Sequence, residues 1–230
     1  MRLSTTTALG LSALTILALT GCSTGSTPSD HPTASASAYP GAKNSAVPAP
    51  LSSVALSKRL LDESDLGEGY TRKAQRPARH DVTVIGCPAL QGLGSDAATG
   101  SGLSFPRTAK TSFTYTGGSV GSEVGEELYS DTATKLSTGV GQIFEAMTSC
   151  RTYQVLIGSN SLAVTAQKVS APELGDERWS QLLTFTAGGR SSVVKQTAVR
   201  AGRVLAVISG SPALVDAHVD KALDKARSAR

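Results

Sequence analysis

After Cys150 the apolar residues change rhythm to every second position, and tight glycine-bearing turns interrupt them at short intervals. Tyr153, Val155 and Ile157 share one face of an extended chain, as do Leu162, Val164 and Ala166. Trp179, Leu183 and Phe185 do the same, and two further runs follow at Ser192–Val199 and Val204–Ile208. The turns between them carry Gly158-Ser159-Asn160, Gly188-Gly189 and Ala201-Gly202. Side chains that alternate between faces, joined by links this short, predict neighbouring strands folded back as antiparallel hairpins.

The rest of the chain supplies mixed elements around that core. Leu51, Val54, Ala55, Leu60 and Leu61 have helical spacing, ending at the turn-rich Asp65-Leu66-Gly67-Glu68-Gly69. Val82, Val84 and Ile85 form a short strand-like run, and Pro88 is placed to open a short helix through Leu93. Phe113 and Tyr115 alternate with Ser112, Thr114 and Thr116, a half-buried strand, and Gly117-Gly118 then predicts a hairpin into a strand near Val124–Tyr129. Leu136, Val140, Ile143, Phe144 and Met147 fall on one helical stripe, with Asp131 or Ser130 available as a cap and with Gly139 and Gly141 weakening it. Ser211 is placed to cap, and Pro212 to open, a terminal helix with the stripe Leu214, Val215, Val219, Ala222, Leu223. The expected class is α+β: a twisted antiparallel sheet with flanking N-terminal, middle and C-terminal helices.

Upstream of the domain the composition changes twice. Arg2 followed by the apolar stretch Leu9–Leu19 reads as an export signal, too short for a membrane span. The four residues Leu19-Thr20-Gly21-Cys22 resemble the lipobox of bacterial lipoproteins. That resemblance implies that the Cys22 thiol is joined to diacylglycerol, that the signal is cut just before it, and that the new N-terminus is acylated, with palmitate as the expected chain. From Ser23 to Pro50 the chain is mostly Ser, Thr, Ala, Pro and Gly, with almost no large apolar residue, and it holds five of the ten prolines. Such a segment buries too little to offset its ordering entropy and reads as a disordered tether. The expected organisation is a signal peptide at 1–21, a lipidated Cys22 with its tether at 22–50, and a domain at 51–230. The expected address is the cell membrane, lipid-anchored on the extracytoplasmic face.

The chain has three cysteines, and Cys22 accounts for one. Cys87 and Cys150 remain inside the domain, and an oxidising compartment makes a disulfide between them the natural reading. Closing a loop of that length stabilises by ~4 kcal/mol in the chain-entropy model. The alternative is a pair of free buried thiols. A zinc site is disfavoured, because neither cysteine has a second Cys or His at ligand spacing.

A net charge of +4 is too small for a dedicated nucleic-acid binder, and a mean hydropathy of −0.04 is too low for a polytopic membrane protein. One constellation looks catalytic. Gly117-Gly118-Ser119-Val120-Gly121 fits the Gly-x-Ser-x-Gly elbow, and the chain order permits Ser119, then Asp176 or Asp216, then His218. The elbow, however, needs a buried strand before it and a helix after it, whereas strands flank this one on both sides. Asp216, His218 and Asp220 look like metal ligands, but on a helix His218 points away from the two carboxylates. The basic stretch Arg72–His80 could draw an anionic lipid or polymer, against the simpler reading of a solvated loop. Gly92-Leu93-Gly94 joins no buried strand to a long helix, so it is no dinucleotide motif. No metal, cofactor or catalytic residue is expected.

Several short motifs together carry a resemblance. They are Leu60-Leu61 with Asp65-Leu66-Gly67-Glu68-Gly69-Tyr70, then Gly86-Cys87 with Leu90, Cys150 after a helix, and Leu174-Gly175-Asp176-Glu177 before a strand. The hairpin Val199–Leu205 and the terminal helix complete the set. With them the domain resembles the extracytoplasmic sensor-like domains of actinobacterial lipoproteins, related to the outer domain of PknH-type Ser/Thr kinases. The resemblance implies an α+β fold with a cleft that takes an unidentified envelope ligand, and no catalysis. Kinase-linked members tend to carry two disulfides, whereas this chain has cysteines for one. The expected partners are the membrane, through Cys22, and a small-molecule, lipid or cell-wall ligand, with no nucleic acid. Two other classes stand beside this one: a small secreted serine hydrolase using Ser119 and His218, and a structural envelope protein that binds another protein.

Overall fold

The structure, a computed structural model, describes residues 49–75, 82–94, 105–118 and 121–228. All of them belong to the unit Val47–Arg230. In chain order the strands are β1 Tyr70–Arg72, β2 Val82–Ile85, β3 Thr108–Tyr115, β4 Glu123–Ser130 and β5 Thr152–Ile157. Then come β6 Asn160–Lys168, β7 Glu177–Ala187, β8 Arg190–Ala201 and β9 Val204–Gly210. They form one antiparallel sheet in the order β1-β3-β4-β9-β8-β7-β6-β5-β2. The run β5 to β9 is therefore a succession of hairpins, as the period-two pattern requires. At the β7–β8 turn Gly188 and Gly189 both take positive φ, 55° and 74°, which matches the twist of the flanking strands. Ser119 and Cys22 lie outside the described residues, as do 76–81 and the whole of 1–48.

The helices are α1 Ser53–Ser57, α2 Glu63–Leu66, α3 Pro88–Gln91, α4 Ala133–Ser149 and α5 Pro212–Arg227. Alternation in β8 sends them to opposite faces. Ala198 packs with Leu136, Val140 and Phe144 of α4, while its neighbour Val199 packs with Val215, Val219 and Leu223 of α5. β9 is covered on both sides in the same way, and Val204–Ile208 are all buried. A strand buried on both faces carries a continuous apolar run. The domain is α+β, with helices flanking a twisted sheet.

Some boundaries differ from expectation, each for a local reason. The N-terminal helix stops at Ser57, because Leu60 and Leu61 enter two different apolar clusters and one helical stripe cannot serve both. Asp62 then starts α2, its carboxylate accepting from Ser64 N and Asp65 N while Asp65 returns the bond to Asp62 N. Asp65-Leu66 is thus helix rather than turn. Thr132 caps α4, accepting from Lys135 N at 3.3 Å, while Asp131 accepts from Thr132 N and Ser130 stays in the sheet. Ser211 precedes α5 without capping it, since its hydroxyl accepts from Glu123 N at 3.3 Å. Helix α3 ends at Gln91 instead of Leu93, and β1 had no periodic signal in three residues. The sulfurs of Cys87, at the start of α3, and Cys150, at the end of α4, are bonded, with Cα atoms 5.7 Å apart.

Candidate functional site

A cleft of about 620 Å³ opens between the second half of α4 and the start of β7. Gly141, Phe144, Glu145 and Thr148 line it from α4, Arg178, Trp179 and Ser180 from β7, and Lys168 with the segment after it from β6. Its size falls in the range of small-molecule sites. The two glycines of α4 have different reasons to be there. A Cβ at position 139 would lie 2.7 Å from Phe105, so close packing demands glycine. A Cβ at position 141 would meet only the Trp179 indole nitrogen, at 3.9 Å. Glycine inside a helix costs about 1 kcal/mol relative to alanine, and no close neighbour of Gly141 calls for it. What it does is leave space opposite the indole.

Period-two alternation puts Trp179 on the face of β7 that looks at α4, between Glu177 and Gln181. The two neighbours are held firmly. Arg200 donates to Glu177 at 3.1 Å and to Asp176 and Gly202 O at 3.0 Å, and this pairing holds the Glu177 carboxyl below the usual range. Gln181 donates to Gln196 Oε1 at 2.8 Å and touches the Met147 sulfur at 3.1 Å, leaving its own side-chain oxygen buried without a partner among the described residues. On the cleft wall Arg178 is paired with Glu173. Lys168 and Glu145, both exposed, form no ion pair among the described residues. The cleft therefore offers one aromatic wall and one uncommitted charge of each sign.

Of the residues singled out for catalysis, the described ones are each engaged with other partners. His218 Nε2 shares a hydrogen bond with the Tyr70 hydroxyl at 2.6 Å, with Tyr115 stacked on Tyr70, and burial lowers the imidazole pKa. Asp176 serves Arg200, Asp216 pairs with Lys195 at 2.5 Å, and Asp220 is exposed. No group of metal-ligating side chains occurs among the described residues. Of the basic stretch, Arg72 lies over the Phe113 ring and donates to Thr111 at 2.7 Å, and Lys73 pairs with Glu123. Both are used inside the fold.

One ionisable site was missed. Glu126 is 1% exposed, and one of its oxygens accepts from Leu61 N at 2.6 Å while the other has no hydrogen-bond partner among the described residues. Burial pushes its carboxyl up to about 8. Nearby, Lys225 donates to Asp62 at 2.7 Å and to Asp65, and the first of these bonds holds the Asp62 carboxyl far below its ordinary value. Burial works against the Lys225 ammonium, but the two carboxylates more than offset it and its pKa rises. The signal was present: Glu126 stands two residues from both Val124 and Leu128, on their buried face.

No protein-family model matches the chain, and no curated protein does. Among solved structures it is similar to the crystal structure of the extracellular domain of PknH from Mycobacterium tuberculosis. The TM-score is 0.58 at 16% identity, covering 77% of this chain and 97% of that one. This chain has the fold of the PknH extracellular domain. A weaker likeness, at TM-score 0.39 and 11% identity, links it to an uncharacterised Mycobacterium smegmatis protein, an Rv0999 ortholog, over 72% of this chain and 93% of that one. The PknH-type fold is thus the frame that sets α4 against β7. No helix among the described residues is long and apolar enough to cross a membrane.

Proposed function

We propose that the chain is an extracytoplasmic lipoprotein, anchored through Cys22, whose domain binds a small envelope ligand in the α4–β7 cleft without catalysing a reaction on it. The observation that carries the reading is the open space over Gly141 facing the Trp179 indole. A ring or acyl segment of the ligand lies against Trp179 and Phe144, and its polar groups reach Lys168 and Glu145. Support for the address comes from three sides. The fold is shared with a domain described as extracellular. The first 22 residues read as a lipoprotein signal. The Cys87–Cys150 bond suits an oxidising compartment. On this reading residues 1–21 are removed, 22–50 form the tether, and 51–230 present the cleft.

The test is a thermal-shift screen of the purified protein against envelope lipids and glycan fragments. A ligand at a hundred times its Kd adds about 2.7 kcal/mol, which moves a domain of this size by roughly 5 to 10 °C. A shift of that kind with one class supports the reading, and none with any class contradicts it. Membrane association is tested by Cys22→Ser, which is expected to release the protein to the soluble fraction. Labelling of Ser119 by a serine-reactive probe, abolished by His218→Ala, would overturn the non-catalytic assignment.

A further inference from the structure

Among the described residues, one broad surface of the sheet carries no helix. Helices α3 and α4 pack on β2, β5, β6 and β7 from one side, and α5 packs on β4, β8 and β9 from the other. On the α5 side the outer strands, from β8 to β2, are left open among the described residues. Strand register fixes which residues stand there. Thr152, Thr165, Thr184 and Val193 form one rank across four strands. Ile85, Gln154, Ala163, Thr186 and Ser191 form the next. The flanking ranks are Thr83-Leu156-Ser161 and Gln167-Leu182-Lys195.

The composition of these ranks is unusual for a surface. A soluble surface carries about a quarter to a third charged residues, so a patch this size would hold about four or five. It holds one, Lys195, and that ammonium is committed to Asp216 at 2.5 Å. Ile85 and Val193 are 44% and 46% exposed, and Leu156, Ala163 and Leu182 are half-buried. No aromatic ring stands on the face, so it offers no platform for stacking a sugar or a base. What it presents is a pleated array of methyl groups from threonine, valine and isoleucine, the surface on which sheets pack against sheets about 10 Å apart.

We infer that this face is where two copies of the chain pack sheet against sheet about a two-fold axis. In such a contact every residue meets the same patch on the other copy, so any net charge would confront itself. An uncharged face escapes that repulsion. The fifteen positions, about 4.8 Å apart across strands and about 6.8 Å along them, cover roughly 500 Å², so two facing patches bury about 1,000 Å², the lower bound for a specific interface. The cleft takes its α4 wall from the opposite side of the sheet, so pairing leaves that wall free.

The test uses the full chain with Cys22→Ser, so that no lipid drives assembly. Sedimentation equilibrium over a wide concentration range is expected to show a monomer–dimer equilibrium. Thr165→Lys with Ser191→Lys, which are not cross-strand partners, is expected to abolish the dimer and leave the melting temperature of the monomer nearly unchanged. Should that variant fail to fold, Thr184→Cys is expected to give a disulfide-linked dimer under mild oxidation, where Ser64→Cys on α2 gives none. A monomer at every concentration, a dimer that survives the two lysines, or equal crosslinking from both cysteines overturns the inference.

Discussion

Replacing Glu126 by glutamine isolates the contribution of one buried carboxyl group to folding. The side chain is 1% exposed beneath Leu61, and its ordinary value of 4.5 is raised to about 8, chiefly by burial. The Leu61 N–H bond and Lys225 of α5 oppose that rise, and Asp65 of α2 adds to it. The unfolded chain releases the proton near 4.5 and the folded chain keeps it until about 8. Stability is therefore undiminished below the unfolded value and falls as pH rises between the two. At about 1.4 kcal/mol per pH unit, the loss reaches about 3 kcal/mol at neutral pH and roughly 5 kcal/mol once pH exceeds the folded value. Glutamine keeps an acceptor for Leu61 and does not titrate, although its amide costs about 1 kcal/mol at every pH if left unpaired. Urea unfolding of both proteins across a pH series gives the difference directly, and groups common to both cancel. The variant should match or trail the wild type near pH 4 and exceed it by about 2 kcal/mol or more at neutral pH. A difference that does not change with pH would show that folding leaves the carboxyl's pKa unshifted and would refute the reasoning.

Four further substitutions probe the frame. Lys225→Met leaves Asp62 and Asp65 facing each other and should cost about 2 to 3 kcal/mol, less than a fully buried pair because Asp62 is 44% exposed at its side chain. The Asp62 carboxyl that Lys225 holds low adds stability above its unfolded value that is lost as pH falls, so the cost of this substitution should shrink on acidification. Gly141→Ala should raise stability by about 1 kcal/mol and Gly139→Ala should lower it against Phe105, opposite signs that thermal melts would separate. Cys150→Ser opens a loop of 63 residues and should cost ~4 kcal/mol, read by urea unfolding without reductant.

The sheet was readable because its information is local. Period two with Gly188-Gly189 and Ala201-Gly202 at the turns specifies both strand and partner within a few residues. The stripe Leu136–Met147 likewise gives α4 and its buried face. Elements whose shape is decided at a distance were not readable in the same way. The split of the N-terminal helix depends on Leu61 donating to Glu126, 65 residues away. The cleft joins Gly141 to Trp179, and nothing near Gly141 in the chain says that its missing side chain faces an indole. Trp179 was placed on the correct face by alternation, but as one core residue among others. The charge-poor ranks behind β5–β8 could not be assembled without register, because they take two to four residues from each of five strands.

Trp179 is the single tryptophan of the chain, so all indole emission comes from the cleft. The most direct test of the binding account is a fluorescence titration of the full chain with the envelope lipids and glycan fragments of the screen, alongside Gly141→Leu. The account predicts a saturable change in emission with at least one ligand class, lost in a Gly141→Leu protein that still melts cooperatively. No saturable change with any of them, or an equal change in Gly141→Leu, would contradict it.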